Sequence, residues 1–221
     1  FNFSNENLTL DISLHLGSLL AIIIYFKTDL LNFIKNKIFF YKIILSSIPV
    51  MLCGYFLVKF DLIDFLRSYK IIGWSTVLFG ILLYFSDLIK TKKTIKKDFK
   101  YSSVLFIGLF QILSLMPGVS RSGITITAAR FLKFDRSDSA KISFLISIPT
   151  LGAVSLYNLN SLFVEKNFEL SMLNFLGVIL SFFFSYLTIK FFIQFLRKFT
   201  FLPFVIYRII LGILILIYAY Q

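Results

Sequence analysis

Long apolar runs recur along the chain, separated by short lysine-rich stretches. Each run approaches the roughly 20 residues that a helix needs to cross a bilayer core. They predict spanning helices at about Ile12–Phe26 (extendable back to Leu8), Tyr41–Val58, Ile71–Ile89, Ile142–Leu159, Met172–Leu196 and Phe201–Tyr220. A different pattern lies between the third and fourth. Tyr101–Met116 is apolar, Pro117-Gly118 interrupts it, and Ser122–Leu132 forms a second short helix-compatible piece. Neither half spans comfortably alone. Two short halves joined by a Pro-Gly break predict a re-entrant hairpin whose tip lies at membrane depth. The alternative is one kinked helix.

The pattern therefore predicts an all-α polytopic membrane protein, with six transmembrane helices and one re-entrant helical hairpin in a single integral membrane domain, residues 1–221. A membrane β-barrel would instead alternate apolar and polar residues in segments of about 10. Composition agrees: 58% of residues are hydrophobic and 15% charged, far from the balance of a soluble domain. Cys53 is the only cysteine, which excludes an intrachain disulfide and a cysteine-based metal centre.

The net charge of +12 sits mostly in the short connections and points to anionic lipid rather than nucleic acid. The strongest run, Lys90–Lys100, carries net +5 and reads as a solvated loop. With the hairpin counted as non-crossing, one side receives Lys27–Lys42 at +3, Lys90–Lys100, Arg130–Lys141 at +2 and Lys190–Lys198 at +3. The other side receives Glu6 and Asp11, a Lys59–Lys70 loop at +1 and an Asn158–Ser171 loop at −1. The positive-inside rule thus favours a hairpin entering from the cytoplasm, with both chain ends outside.

Candidate chemistry concentrates in Pro117–Thr125. A half-helix starting after the break presents free backbone N–H groups backed by its dipole, an anion site. Ser120, Ser122 and Thr125 add hydroxyls, and Arg121 adds a fork suited to phosphate oxygens. Gly118 and Gly123 allow close approach of a ligand to the backbone. Gln111 and Ser114, on the preceding half, can face the same cavity. Only six of the 23 basic residues are arginine, and Arg121, Arg130 and Arg136 fall in or just after this stretch. A phosphate or diphosphate head group is the expected ligand, and close helix packing by the serines and glycines is the plainer alternative. Asp11, His15 and Ser18 share one face of the first helix. The expected role for His15 is structural, inward-facing and hydrogen-bonded, rather than catalytic.

These residues resemble the bacterial undecaprenyl-diphosphate phosphatase family of the bacitracin-resistance type. The resemblance runs from Gly108 and Gln111 through PGVSRSGIT (Pro117–Thr125), Ala140 and FLISIPT (Phe144–Thr150). It includes HLGSLLA (His15–Ala21) and FLPFVIYRIILG (Phe201–Gly212), so it covers essentially the whole chain. It implies an inner-membrane enzyme that removes the terminal phosphate of undecaprenyl diphosphate and recycles the lipid carrier for cell-wall synthesis. It also implies six spans with two re-entrant hairpins as inverted repeats. Arg121 would bind the diphosphate, with Ser120, Ser122 and Thr125 around it. Arg121 and Ser120 are the candidate catalytic residues, and Ser122, Thr125, Gly118, Gly123 and Gln111 the candidate substrate-binding ones.

One departure matters. The family's Glu-rich segment, Pro-x-Ser-Ser stretch and histidine lie upstream of the block that His15 matches, and the residues before His15 do not form them. The chain is therefore expected to be an N-terminally truncated member that lacks the first hairpin and has little activity alone. By resemblance a divalent cation, Mg or Ca, is the expected cofactor, with its ligands outside these residues. Expected partners are the polyprenyl diphosphate, membrane lipids and a further copy of the chain as a homo-oligomer. The site is expected to open to the periplasmic side. The rival reading is a transporter or flippase of a phosphate-bearing lipid, since broken helices also mark transporters. A membrane phosphatase with two catalytic histidines is disfavoured because the chain has one.

Overall fold

The computed structural model describes residues 5–35, 37–60, 67–164 and 172–221. These residues are overwhelmingly helical. In chain order the helices are α1 (Asn5–Tyr25), α2 (Lys27–Lys35), α3 (Lys37–Lys59), α4 (Tyr69–Asp87), α5 (Tyr101–Ile112), α6 (Arg121–Phe131), α7 (Arg136–Val164), α8 (Met172–Leu196) and α9 (Leu202–Tyr220). A helical turn at Ile95–Asp98 lies before α5, and a 3-10 turn at Leu113–Leu115 extends it. Among the described residues the only β-type pairing is an isolated bridge between Lys93 and Phe134.

Among the described residues, five helices are long and apolar enough to cross a membrane: α3, α4, Arg136–Leu156 within α7, α8 and α9. Thr9–Tyr25 and Tyr101–Leu115 are shorter apolar stretches. The first of these is the remaining expected span, and the second is the rising arm of the expected hairpin. This is a polytopic α-helical membrane protein.

Two expectations need correction. The Lys27–Lys42 stretch is not an open loop, because α2 occupies Lys27–Lys35 and α3 already begins at Lys37. Lysine is a good helix former, so its charge excludes it from the bilayer core without breaking the helix. Helix α7 also starts six residues before the expected Ile142. Asp135 explains this, since its Oδ1 accepts the Asp138 N–H at 2.7 Å and the Ser137 hydroxyl at 3.0 Å, capping the new helix. The connections expected at Lys59–Lys70 and Asn158–Ser171 fall largely on 61–66 and 165–171, outside the described residues, although 158–164 belongs to α7.

The chain forms two compact units, residues 1–40 with 147–193 and residues 41–146 with 194–221. In the first, α1 packs on α8 through small side chains. Gly17 lies against the Val178 carbonyl, and a Cβ there would also stand 2.8 Å from Ser181 Cβ. Ser18 Oγ donates to Leu14 O at 2.8 Å, and Ser181 Oγ donates to the same carbonyl at 2.6 Å. Small residues with hydroxyls spent on carbonyls are how helices associate where apolar surface alone gives no advantage over lipid.

The second unit is organised around α4 and α9, whose backbones approach at Gly73 and Gly212. A Cβ on Gly212 would meet Val77 Cγ2 at 2.6 Å and the Gly73 carbonyl at 3.0 Å. Helix α6 of the hairpin packs on α4. The ends of the hairpin stay together: the rings of Phe99 and Phe134 lie 6.3 Å apart, edge to face, and the Lys92 and Lys93 N–H groups donate to Lys133 O at 3.0 Å. Both arms therefore leave from one end, as a re-entrant hairpin requires. The tip reaches α4 at Ile72–Thr76, some 20 Å from Asp87 at a helical rise of about 1.5 Å per residue. The basic stretch between α4 and α5 keeps most lysines exposed while Ile95 and Phe99 are buried beneath them.

Candidate functional site

The hairpin is held at both ends, and the two ends have different chemistry. At the base, Arg130 is 2% exposed and spends its guanidinium on carbonyls: Asp87 O at 3.1 Å, Ile89 O at 2.6 Å and Phe134 O. Its charge is met by the Asp87 carboxylate at 3.5 Å, which also accepts from Arg136 Nε at 2.6 Å and from the Phe201 N–H at 3.1 Å. One buried carboxylate thus ties together the end of α4, the return of the hairpin and the starts of α7 and α9. Arg130 and Arg136 belong to this clasp. The Asp87 carboxylate is thereby fully engaged.

At the tip the chain must turn sharply between two helices. Gly118 takes φ +88, a conformation that side chains disfavour. It also has no room for one, because a Cβ would meet the Ser75 hydroxyl and stand 2.5 Å from Ile72 O. Ser75 Oγ donates to Pro117 O at 2.5 Å and Thr76 Oγ1 to Gly118 O at 3.3 Å, so α4 supplies the donors that the turn's carbonyls need. The same Gly118 carbonyl accepts from Arg208 Nη2 of α9 at 2.8 Å.

Beyond the turn, Ser120 caps α6. Its Oγ accepts the Gly123 N–H at 3.3 Å and lies 3.4 Å from the Ser122 hydroxyl. Ser120 has φ +65, costly for a residue with a Cβ, at about 1–3 kcal/mol, and such outliers gather where function needs them. Ser120 and Ser122 are exposed, and Arg121 is part-exposed at the first helical position. Two hydroxyls thus lie together at the positive end of a helix whose first residue is Arg121. An arrangement of this kind can bind an anion.

The structure sorts the expected site residues into two groups. Gly118, Ser120, Arg121, Ser122 and Gly123 come together at the tip. Thr125 and Gln111 do not face outward with them. Thr125 is 1% exposed, and its hydroxyl is committed to Arg121 O at 3.0 Å and Ser143 Oγ at 2.8 Å. It braces α6 against α7. Gln111 is fully buried, and neither its amide oxygen nor its nitrogen has a hydrogen-bond partner among the described residues. His15 is exposed and makes no hydrogen bond among the described residues, contrary to the inward-facing role expected for it. Asp11 is exposed too, and the Ser18 hydroxyl is used within the α1–α8 contact.

Arg208 was the functional candidate that the sequence reading passed over. Its signal was available, as the single charged residue within α9, and a charge inside a span is expensive and seldom idle. A divalent cation fits poorly with the described residues, among which no group of three or more His, Cys, Asp or Glu side chains comes together.

The chain matches the model of a family described as "Bacitracin resistance protein BacA" over residues 1–214. An undecaprenyl-diphosphatase of Pelagibacter ubique (strain HTCC1062) is 46% identical over 222 residues, covering 100% of this chain and 86% of that protein. One from Roseobacter denitrificans is 34% identical, covering 98% of this chain and 86% of the relative. One from Saccharophagus degradans is 38% identical, covering 96% and 84%.

Proposed function

Since the chain belongs to the bacitracin resistance protein family, we propose that it is an undecaprenyl-diphosphatase whose diphosphate site is the tip of the α5–α6 hairpin. Hydrolysis adds water across the bridging P–O bond, releasing orthophosphate and leaving undecaprenyl phosphate for another round of cell-wall synthesis. The observation that carries the site assignment is the N-terminus of α6, where the Ser120 and Ser122 hydroxyls lie 3.4 Å apart beside Arg121.

The roles follow from charge. Arg121 forks two non-bridging oxygens and neutralises charge that grows as the bridge breaks. Ser120, held by its bond to the Gly123 N–H, directs its hydroxyl at the same phosphate, and Ser122 adds a second. Gly123 keeps the backbone beside Ser120 bare enough for the head group to approach, while Gly118 lets the turn pack on α4. Thr125 acts behind the site by bracing α6 against α7. The protein lies in the bacterial inner membrane, with its lysine-rich connections inside and the tip reaching toward the periplasmic face. Its substrate is a membrane lipid.

The test is release of inorganic phosphate from undecaprenyl diphosphate by the purified protein in detergent. Arg121→Ala should lower kcat/KM by 100-fold or more, a loss of about 3 kcal/mol of transition-state stabilisation. Arg121→Lys should recover only part of it, because an ammonium cannot fork. Substrate binding without phosphate release by the unmodified protein would instead favour a lipid transporter.

A further inference from the structure

The charges of the two buried arginines in the second unit are treated differently. Arg130 has Asp87 as counter-ion. Arg208 is 9% exposed, and no carboxylate among the described residues pairs with it. Its Nε is buried with no hydrogen-bond partner, and only Nη2 is engaged, on Gly118 O at 2.8 Å. A buried guanidinium left without an anion is costly, by several kcal/mol even after relaxation. A protein retains one where an anion arrives from outside.

Position says which anion. Helix α4 passes Arg208 closely at Gly80, where a Cβ would stand 3.2 Å from Arg208 Cβ. From there its guanidinium reaches the first turn of α6. The place a Cβ would take on Gly123 lies 2.9 Å from Arg208 Nη1 and 3.3 Å from Ser120 Oγ. The N–H groups of Nη1 have no partner among the described residues. Unspent donors on an uncompensated cation therefore border the Ser120 hydroxyl on a face where glycine leaves space.

From this geometry we infer that Arg208 is a specificity residue for the diphosphate, the second fixed cation at the α6 N-terminus, matched to the phosphate that Arg121 does not hold. The inference rests on the diphosphatase reading of the tip. A diphosphate spreads its negative charge over two phosphoryl groups, and two guanidiniums on separate helices can meet both at once. A single phosphate can engage only one fully. The site thereby prefers the substrate over its own lipid monophosphate product and over orthophosphate, which lets product leave.

Two variants separate this role from simple bracing of Gly118. Arg208→Met removes the cation together with its bond to the turn. Gly123→Ala keeps the arginine and asks only the far end of its flexible side chain to move. The measurement is binding of methylenediphosphonate, a diphosphate that cannot be hydrolysed, and of orthophosphate to the purified full chain in detergent. Phosphate release from undecaprenyl diphosphate is followed alongside. Each variant should weaken methylenediphosphonate binding about tenfold or more while changing orthophosphate binding less than threefold, the scale of one lost charge-assisted contact. The double variant should be no worse than Arg208→Met alone, because both remove one interaction. The inference is overturned if the unmodified protein releases phosphate normally yet both variants keep its selectivity for methylenediphosphonate over orthophosphate. Should the unmodified protein neither bind the diphosphonate nor release phosphate, the diphosphatase reading itself fails.

Discussion

Two residues of the tip hold backbone conformations that side chains disfavour, and they do so for opposite reasons. Gly118 at φ +88 is where the sequence supplies the residue the geometry demands. Ser120 at φ +65 is where it does not, and a hydroxyl is retained at the expense of strain. The two positions should respond in opposite directions. Gly118→Ala should destabilise the protein by about 2 kcal/mol or more, since a Cβ adds a clash with the Ile72 carbonyl to the backbone penalty. Ser120→Gly should raise stability by about 1 kcal/mol, because glycine relieves the strain and loses little as a cap, while phosphate release falls. Thermal unfolding in detergent, set beside the activity of each variant, reads both. An Ser120→Gly variant less stable than the parent would show that the hydroxyl is held for the fold rather than for chemistry.

At the scale of elements, the hairpin is a lever fixed at its base and presented at its tip. The base depends on Asp87, whose two carboxylate oxygens serve Arg136, Arg130 and the Phe201 N–H. Asp87→Ala leaves two arginines without their anion, and breaking a buried pair from one side costs on the order of 3 kcal/mol. The expected result is a marked fall in Tm, with the fraction that stays folded keeping kcat within a few-fold of the parent, because the clasp touches no substrate. A kcat loss comparable to that of Arg121→Ala in fully folded protein would contradict the division between base and tip. The hairpin was legible in sequence because Pro117-Gly118 stops a helix and Ser120 starts one by local rules. The clasp was not. Asp87 and Arg136 are 49 positions apart, and no periodicity announces their meeting.

For the whole molecule, lysine placement carries the proposed orientation. Lys96, in the basic connection after α4, and Ser68, before it, flank the same helix and should lie on opposite faces of the membrane. In a Cys53→Ala background, a cysteine at Ser68 should react in intact cells with a membrane-impermeant thiol reagent. One at Lys96 should react only after the membrane is opened. Outside labelling of the Lys96 position would invert the topology and with it the proposed periplasmic opening of the site.

The amino-acid sequence by itself determined the helices, the hairpin and the family, because each rests on short-range facts: apolar runs of spanning length, a Pro-Gly break, and the PGVSRSGIT stretch read in order. It also placed Ser120, Arg121 and Ser122 at a helix N-terminus, where adjacency in the chain is adjacency in space. Only the tertiary structure decided which polar residues face the tip and which are spent inside. Thr125 lies three residues from Ser122 yet turns its hydroxyl toward Ser143. Arg130 and Arg136, which fall just after the tip motif in sequence, answer to Asp87. Arg208, some 90 residues beyond the turn, returns to its carbonyl. These assignments depend on which helix faces pack together, and that is settled by close approach at glycines such as Gly73 and Gly212 and by the need to give each buried polar group a partner.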